Sequence, residues 1–298
     1  MLGLIRLGQI GDLITAVKSS DALELKLLYS LNYKTFFLPW FYKESVDFSH
    51  DLALTVEKSL NCKIKVINIF SLLKIANSSL KFDKLFFMVQ TPTLKSKLFH
   101  IVLTYVFFIK TDILYEGSQW IFDSIKKNNL SVMMHTSLLD RYSSFVFTIN
   151  WQGKELEKNI SINNLNSIIS FLLKNFPNSL VYLIGKDSIN LDLTNSNYFN
   201  ISGKTSLAES FDYIKKSDLL ITCDSGPVHF AAANDIYTIA FIAMRYPLSI
   251  WYPYSPYVAV LSDLLISCKH TKCNKCSDKL NVCINNPVLL DNFYSFFK

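Results

Sequence analysis

The chain has 298 residues, half of them hydrophobic and 18% charged, with a formal net charge of +6. That balance excludes a disordered chain and leaves room for two domains of about 150 residues, each with its own core. Only 8 glycines occur, against about twenty at average usage, so those present tend to mark close backbone approach or a positive φ.

The first residues, "LGLIRL" at 2–7, read as a short buried strand. "GQIGD" comes next as a loop, and 12–30 reads as a helix with Leu13, Ile14, Val17, Leu23 and Leu27 at apolar positions. Arg6 and Asp12 interrupt what would be the apolar core of a secretory signal. Further strands are expected at 35–40, 63–70 and 84–89, alternating with helix-like stretches, and another within "DILYEG". The longest apolar run, 98–109, contains His100 and falls short of the roughly 20 residues that cross a membrane. The chain therefore reads as cytoplasmic, with its six cysteines reduced.

After residue 143 the alternation sharpens. "SSFVFTINW" reads as a strand, and 161–176 as an amphipathic helix with Ile162, Leu165, Ile168, Ile169, Leu172, Leu173 and Phe176 on one stripe. Strands are expected at 179–185, 219–224 and 238–244, with helices over 206–218 and 228–234. This alternation predicts parallel sheets with helices on both faces, an α/β fold of two Rossmann-like domains, 1–145 and 146–298. The last helix could pack back on the first domain.

Two corners carry candidate chemistry. In "LLITCDSGPVHFAAAN" a strand ends on Asp224, turns through Ser225 and Gly226, and restarts as a helix containing His229. Pro227 sits in its first turn, where a missing N–H costs nothing. The amides of residues 225–229 then form an anion site by geometry and dipole, which Gly226 lets a phosphate approach. The plainer reading, equally weighted, is that Asp224 or Ser225 caps the helix and His229 packs in the turn. At the other corner, "GLIRLGQIGD" lacks G-x-G-x-x-G, which disfavours a nicotinamide enzyme. It places Asp12 at a helix start, where a carboxylate often only complements the dipole. Ligands of open α/β sheets bind at carboxyl ends of strands, so the two corners are expected to frame one cleft.

"LIRLGQIGDLITAV" together with "GKTSLAESFDYIKKSDLLITCDSGPVHFAAA" resembles glycosyltransferase family 9, the heptosyltransferases of lipopolysaccharide assembly, over nearly the whole chain. The resemblance implies a GT-B fold, with the acceptor mostly on the first domain and the nucleotide-sugar donor mostly on the second. It also implies ADP-heptose as donor, inversion at the anomeric carbon, and no metal or other cofactor. By residue, Asp12 matches the family's catalytic aspartate, the expected general base. Lys158 matches a lysine on the donor phosphates. Asp224, Ser225, Gly226 and His229 match the donor corner, and Thr205 lies in the loop near the nucleotide. Three departures from the family pattern bear on phosphate and sugar contacts: "VKSS" at 17–20 stands where the family has a proline in the first helix, Ile160-Ser161 replaces an aromatic-proline pair, and Gly153-Lys154 replaces hydroxyl residues.

Three remaining features are weighed against plainer readings. Cys268, Cys273, Cys276 and Cys283 could hold zinc, but a standard site has two C-x2-C arms and this stretch has one. "FFLPWFYK" at 36–43 reads mainly as a core strand running into a loop, with Trp40 and Phe41 at a membrane interface as the lesser alternative. Residues 1–145 hold 17 Lys and Arg against 12 Asp and Glu, whereas 146–298 hold 13 against 12. That asymmetry reads first as ordinary surface lysines, and second as a face for an anionic membrane beside a lipid-linked acceptor. Against transfer stand two other functions: a non-catalytic nucleotide-sugar-binding protein, and a nucleotide-sugar epimerase, which would need a second catalytic carboxylate. No nucleic-acid partner is expected.

Overall fold

The computed structural model describes residues 2–6, 34–39, 63–67, 84–89, 112–115, 144–153, 156–242, 255, 257–261 and 284–297. The chain divides into two compact units, Met1–Trp120 and Ile121–Lys298. The sequence placed the join near residue 145, at the start of the second sheet; the unit boundary lies earlier in the chain.

Among the described residues the first unit has five short strands: β1 (Leu2–Arg6), β2 (Lys34–Pro39), β3 (Lys63–Ile67), β4 (Lys84–Val89) and β5 (Asp112–Tyr115). They form one sheet in the order β3-β2-β1-β4-β5, every neighbour pair parallel. The order reverses between β1 and β4, the topological switch point where open α/β sheets place ligands. All five strands fall where the sequence expects them. The loop after β1, with Gly8, Gly11 and Asp12, and the helix expected over 12–30 lie outside the described residues.

The second unit is described in more detail. Its elements are β6 (Val146–Asn150), α1 (Ile162–Asn175), β7 (Leu180–Ile184), β8 (Tyr198–Asn200), α2 (Leu207–Lys215), β9 (Leu219–Cys223), α3 (Gly226–Ala233), β10 (Tyr237–Phe241), β11 (Val258–Leu261) and α4 (Pro287–Ser295). The parallel sheet runs β11-β10-β9-β6-β7-β8. Counted from β6, that is the doubly wound order, with its reversal between β6 and β9. β8 and β11 are elements the sequence reading did not name; the last helix, α4, was expected without bounds and as packing on the first domain, and its Leu289 and Phe293 lie in the core with α1 of its own unit. β8 is only three residues long, too short for an alternation to register.

Side chains alternate faces along a strand, and β10 shows how the two cores separate. Ile239 and Phe241 join one core with Leu165, Ile168, Ile169 and Leu172 of α1 and Leu289 and Phe293 of α4. Ala240 and Ile242 face the other way, against Val228 and Ala232 of α3. On that second side α2 and α3 meet through stacked Phe211 and Phe230 rings, centroids 3.9 Å apart. Strands covered on both faces read as continuous apolar runs, which is why "LLITC" of β9 is buried throughout.

Local signals set the helix starts. Ser161 caps α1 by accepting from the Asn164 amide, and Ser206 and Glu209 form a capping box on α2. Asn286 caps α4, with Pro287 in the first helical position. α4 is then held by aromatic contacts: Phe293 lies 6.0 Å from Phe171 and 6.0 Å from Phe241, and Phe297 lies 5.7 Å from Phe176. Phe293→Ala should therefore cost about 3–5 kcal/mol through the cavity it opens, read as a lowered urea midpoint at unchanged slope. A loss under about 1 kcal/mol would show that α4 is not part of the cooperative core.

Candidate functional site

The site is built at the carboxyl ends of β6 and β9, on the switch point of the second sheet. Each apolar strand ends in polar residues there. Asn150 and Thr222 are register partners, both buried. The Asn150 amide group Nδ2 donates to Thr222 Oγ1 at 3.1 Å, to Ser225 Oγ at 2.9 Å and to the Gln152 carbonyl at 3.2 Å. A buried amide must find such partners, because leaving them unmade costs about 1–3 kcal/mol. Asn150 thus welds the two strand ends together.

Ser225 is pulled inward by that network. Its hydroxyl donates to the Cys223 carbonyl at 3.1 Å, and it makes no side-chain cap on α3 although it occupies the N-cap position. Of the plainer reading, in which Asp224 or Ser225 caps the helix and His229 packs in the turn, the Ser225 side-chain cap is not formed. α3 opens with Gly226 and Pro227, so its first turn presents backbone with little side chain around it, the arrangement that suits an anion. His229 is buried in the same helix.

Asp224 is 5% exposed, and a buried carboxylate requires a cation or several donors. Lys158, in the 3-10 turn Leu156–Lys158, supplies the charge: its Nζ lies 2.9 Å from Asp224 Oδ2. The lysine comes close because Gly153 has no side chain. A Cβ there would stand 2.6 Å from Lys158 Cβ and 3.3 Å from the Asp224 carbonyl oxygen. Removing one partner of such a pair leaves a charge uncompensated, at a cost of about 3–5 kcal/mol when burial is complete. The fold therefore presents an ammonium group, fixed by a buried carboxylate, beside the start of a helix. That combination stabilises negative charge.

The loops around this pair are cross-tied. Gln152 and Asp187 bond reciprocally, the Gln152 side-chain amide donating to the Asp187 carboxylate and the Asp187 backbone donating to Gln152 Oε1 at 2.8 Å. Trp151 lies against Gly185, where a Cβ would collide with its Nε1. Cys223 is buried, and burial pushes its thiol up to about 12, which removes it as a nucleophile near neutral pH. Thr205 precedes α2, its hydroxyl 2.8 Å from Ser210 Oγ. The Glu209 carboxyl there is held below the usual range by the Ser206 backbone amide and then by its hydroxyl.

Of the residues the sequence singled out, the structure brings Lys158 and Asp224 into contact and seats Ser225, Gly226 and His229 on the same corner. Thr205 is bonded within its own helix start. Asp12, Cys268, Cys273, Cys276 and Cys283 lie outside the described residues. Among the described residues, no group of three His, Cys, Asp or Glu could hold a metal ion. Sequence reasoning missed Asn150, Trp151, Gln152 and Asp187. The signal was present: "NWQG" breaks off the apolar run of β6 with an asparagine at the strand end.

Residues 187–281 match the family model of glycosyltransferase family 9 (heptosyltransferase). No curated protein matches the sequence. Among solved structures, the chain is similar to the ADP-heptose lps heptosyltransferase II of E. coli, with TM-score 0.59 at 14% identity, over 99% of this chain and 98% of that one. It is similar to a glycosyl transferase of family 9 from Veillonella parvula DSM 2008, with TM-score 0.60 at 14% identity, over 87% and 85%. The E. coli heptosyltransferase WaaC with ADP gives TM-score 0.57 at 9% identity, over 87% and 92%. These likenesses show the fold: α/β, GT-B-like, with two Rossmann-like parallel sheets.

The close approach at Gly153 gives a direct check on the site. Gly153→Ala forces Lys158 or the β9 end to move and should cost about 1–3 kcal/mol, measured by chemical denaturation. Stability equal to the parent would mean that the 151–160 loop has room the geometry does not show.

Proposed function

We propose that this chain, a glycosyltransferase by the family 9 domain it carries, moves a heptose from a nucleotide-diphosphate donor to a hydroxyl of a lipopolysaccharide core or related surface glycan. The reaction inverts the anomeric carbon and uses no metal ion. The observation that carries this reading is the Lys158–Asp224 pair, 2.9 Å apart at the sheet switch point and next to the start of α3. One similar structure is titled as holding ADP and another is named for ADP-heptose, and both support ADP as the nucleotide.

The chemistry is set by where charge develops. In direct displacement the acceptor oxygen bonds to the anomeric carbon as the carbon–oxygen bond to the diphosphate breaks, and the electron pair leaves with the diphosphate. Asp12 takes the proton of the acceptor hydroxyl, which requires it ionised and about 3 Å from that oxygen. Lys158 and the first-turn amides of α3 offset the charge gained by the diphosphate, the task a divalent cation performs in other transferases. Asp224 holds the lysine in place. Ser225, Gly226 and His229 shape the corner around the donor, and Thr205 lies toward the nucleotide.

The acceptor is lipid-linked, so the enzyme works at the inner face of the cytoplasmic membrane. The excess of lysine and arginine in residues 1–145 suits peripheral contact with anionic lipid. Among the described residues no helix is long and apolar enough to cross a membrane.

Incubation with ADP-heptose and with UDP-sugars, with and without a heptose-free core acceptor, tests the reading. Transfer from ADP-heptose is expected; release of monosaccharide without transfer, or no turnover with any donor, would sink it. Asp12→Asn should abolish transfer while ADP still binds. Lys158→Met should lower turnover by about 10²-fold and weaken ADP binding. Near-parent rates in either variant would remove that residue from its role.

A further inference from the structure

The lysine of the donor corner is not positioned by its own segment alone. Lys158 sits between Gly153 and Ser161 in a loop whose described residues form one 3-10 turn. Isolated 3-10 turns are weakly held, so something else must fix this one. The ties run to the far end of the chain. Asn285 donates from Nδ2 to the Asn159 carbonyl at 3.0 Å, while its Oδ1 accepts from the Ser161 amide at 2.7 Å and from Asn164 Nδ2 at 3.2 Å. A backbone N–H can only donate and a backbone carbonyl can only accept, so these partners dictate which way the Asn285 amide points. Asn159 in turn accepts from the Gly153 amide through its own Oδ1 at 2.9 Å, closing the loop on both sides of Lys158.

Asn285 is a rigid post because it leads directly into α4. Its neighbour Asn286 caps that helix, and Leu289 and Phe293 are fully buried in the sheet core together with α1. The partners of Asn285 lie 121 to 126 residues away in sequence. We propose that Asn285 is a positioning residue for Lys158: through Asn159 and Ser161 it sets the height of the 3-10 turn and so holds the ammonium group against Asp224, where it meets the donor diphosphate. The C-terminal segment is thereby part of the donor site although it bears no charge on it. This inference rests on Lys158 being a donor contact.

The test is ADP binding by calorimetry in five proteins: parent, Lys158→Met, Asn285→Asp, the double variant of these two, and Asn286→Ala. Asn285→Asp keeps the acceptor oxygen and the size but loses the donor to Asn159. It should weaken ADP binding by about tenfold, the worth of one part-buried hydrogen bond, and by less than about twofold once Lys158 is already methionine. Asn286→Ala, which removes the side chain that caps α4 and leaves Asn285 in place, should leave ADP binding within about twofold of the parent. An undiminished loss in the double variant, no loss in Asn285→Asp, or an equal loss in Asn286→Ala overturns the proposal. If Lys158→Met itself binds ADP like the parent, the donor-site assignment fails, and the role of Asn285 falls with it. Should Asn285→Asp fold poorly, Asn285→Ala measured against Lys158→Met gives the same coupling.

Discussion

A carboxylate at the end of a strand buried along its whole length cannot stay ionised without a partner, and everything around Asp224 answers to that constraint. β9 delivers it to the carboxyl edge of the sheet, between the β6 loop and the start of α3. Lys158 meets it at 2.9 Å. For the lysine to reach, the β6 loop must fold tightly, which Gly153 allows, and must stay folded, which Asn159 and Asn285 secure. An ammonium group so restrained differs from a surface lysine. Its rotamers are already selected, so little side-chain entropy remains to be lost when an anion arrives.

The same corner explains why Asn150 and Ser225 are polar where apolar residues would pack. Between β6 and β9 the sheet order reverses, and the helices connecting these strands leave toward opposite faces. A crevice at that point exposes strand ends to whatever binds there. Asn150 ties Thr222 and Ser225 to one another and turns the serine hydroxyl away from the helix. The turn before α3 is then rigid without its side chain occupying the place of a ligand. Fixed dipoles of this sort need no rearrangement when charge develops, which is the condition for electrostatic catalysis.

Much of the architecture was legible from local pattern. The five strands of the first sheet, and the β6, β7, β9 and β10 runs of the second, announce themselves as short apolar segments bounded by polar residues. The stripe on α1 buries Leu165, Ile168, Ile169 and Leu172 as its spacing implies. β8 and β11 escaped because a strand of three or four residues carries too few alternations. The bounds of α4 escaped because "NNPVLLDNFYSFF" shows where its helix begins only once its asparagine and proline are recognised as a start. Of the site, Lys158, Asp224, Ser225, Gly226 and His229 were named from resemblance and from the strand–turn–helix corner. The supporting residues were not: Asn150 is marked only by its place at the end of an apolar run, and Asn159 and Asn285 have no spacing that distinguishes a clamp from a loop.

The order of apolar and polar residues determined which segments became strands and helices, and that both halves would build parallel sheets, because those outcomes depend on neighbours a few positions apart. It determined as well that the 224–229 corner would be a strand end running into a helix start. Which residues stand beside one another across that corner was decided only in three dimensions. Lys158 meets Asp224 because β6 and β9 pair although β7, β8, α1 and α2 lie between them in the chain. Asn285 reaches Asn159 because α4 closes over α1. Contacts at such separations depend on strand order and helix docking, and local periodicity carries no information about either.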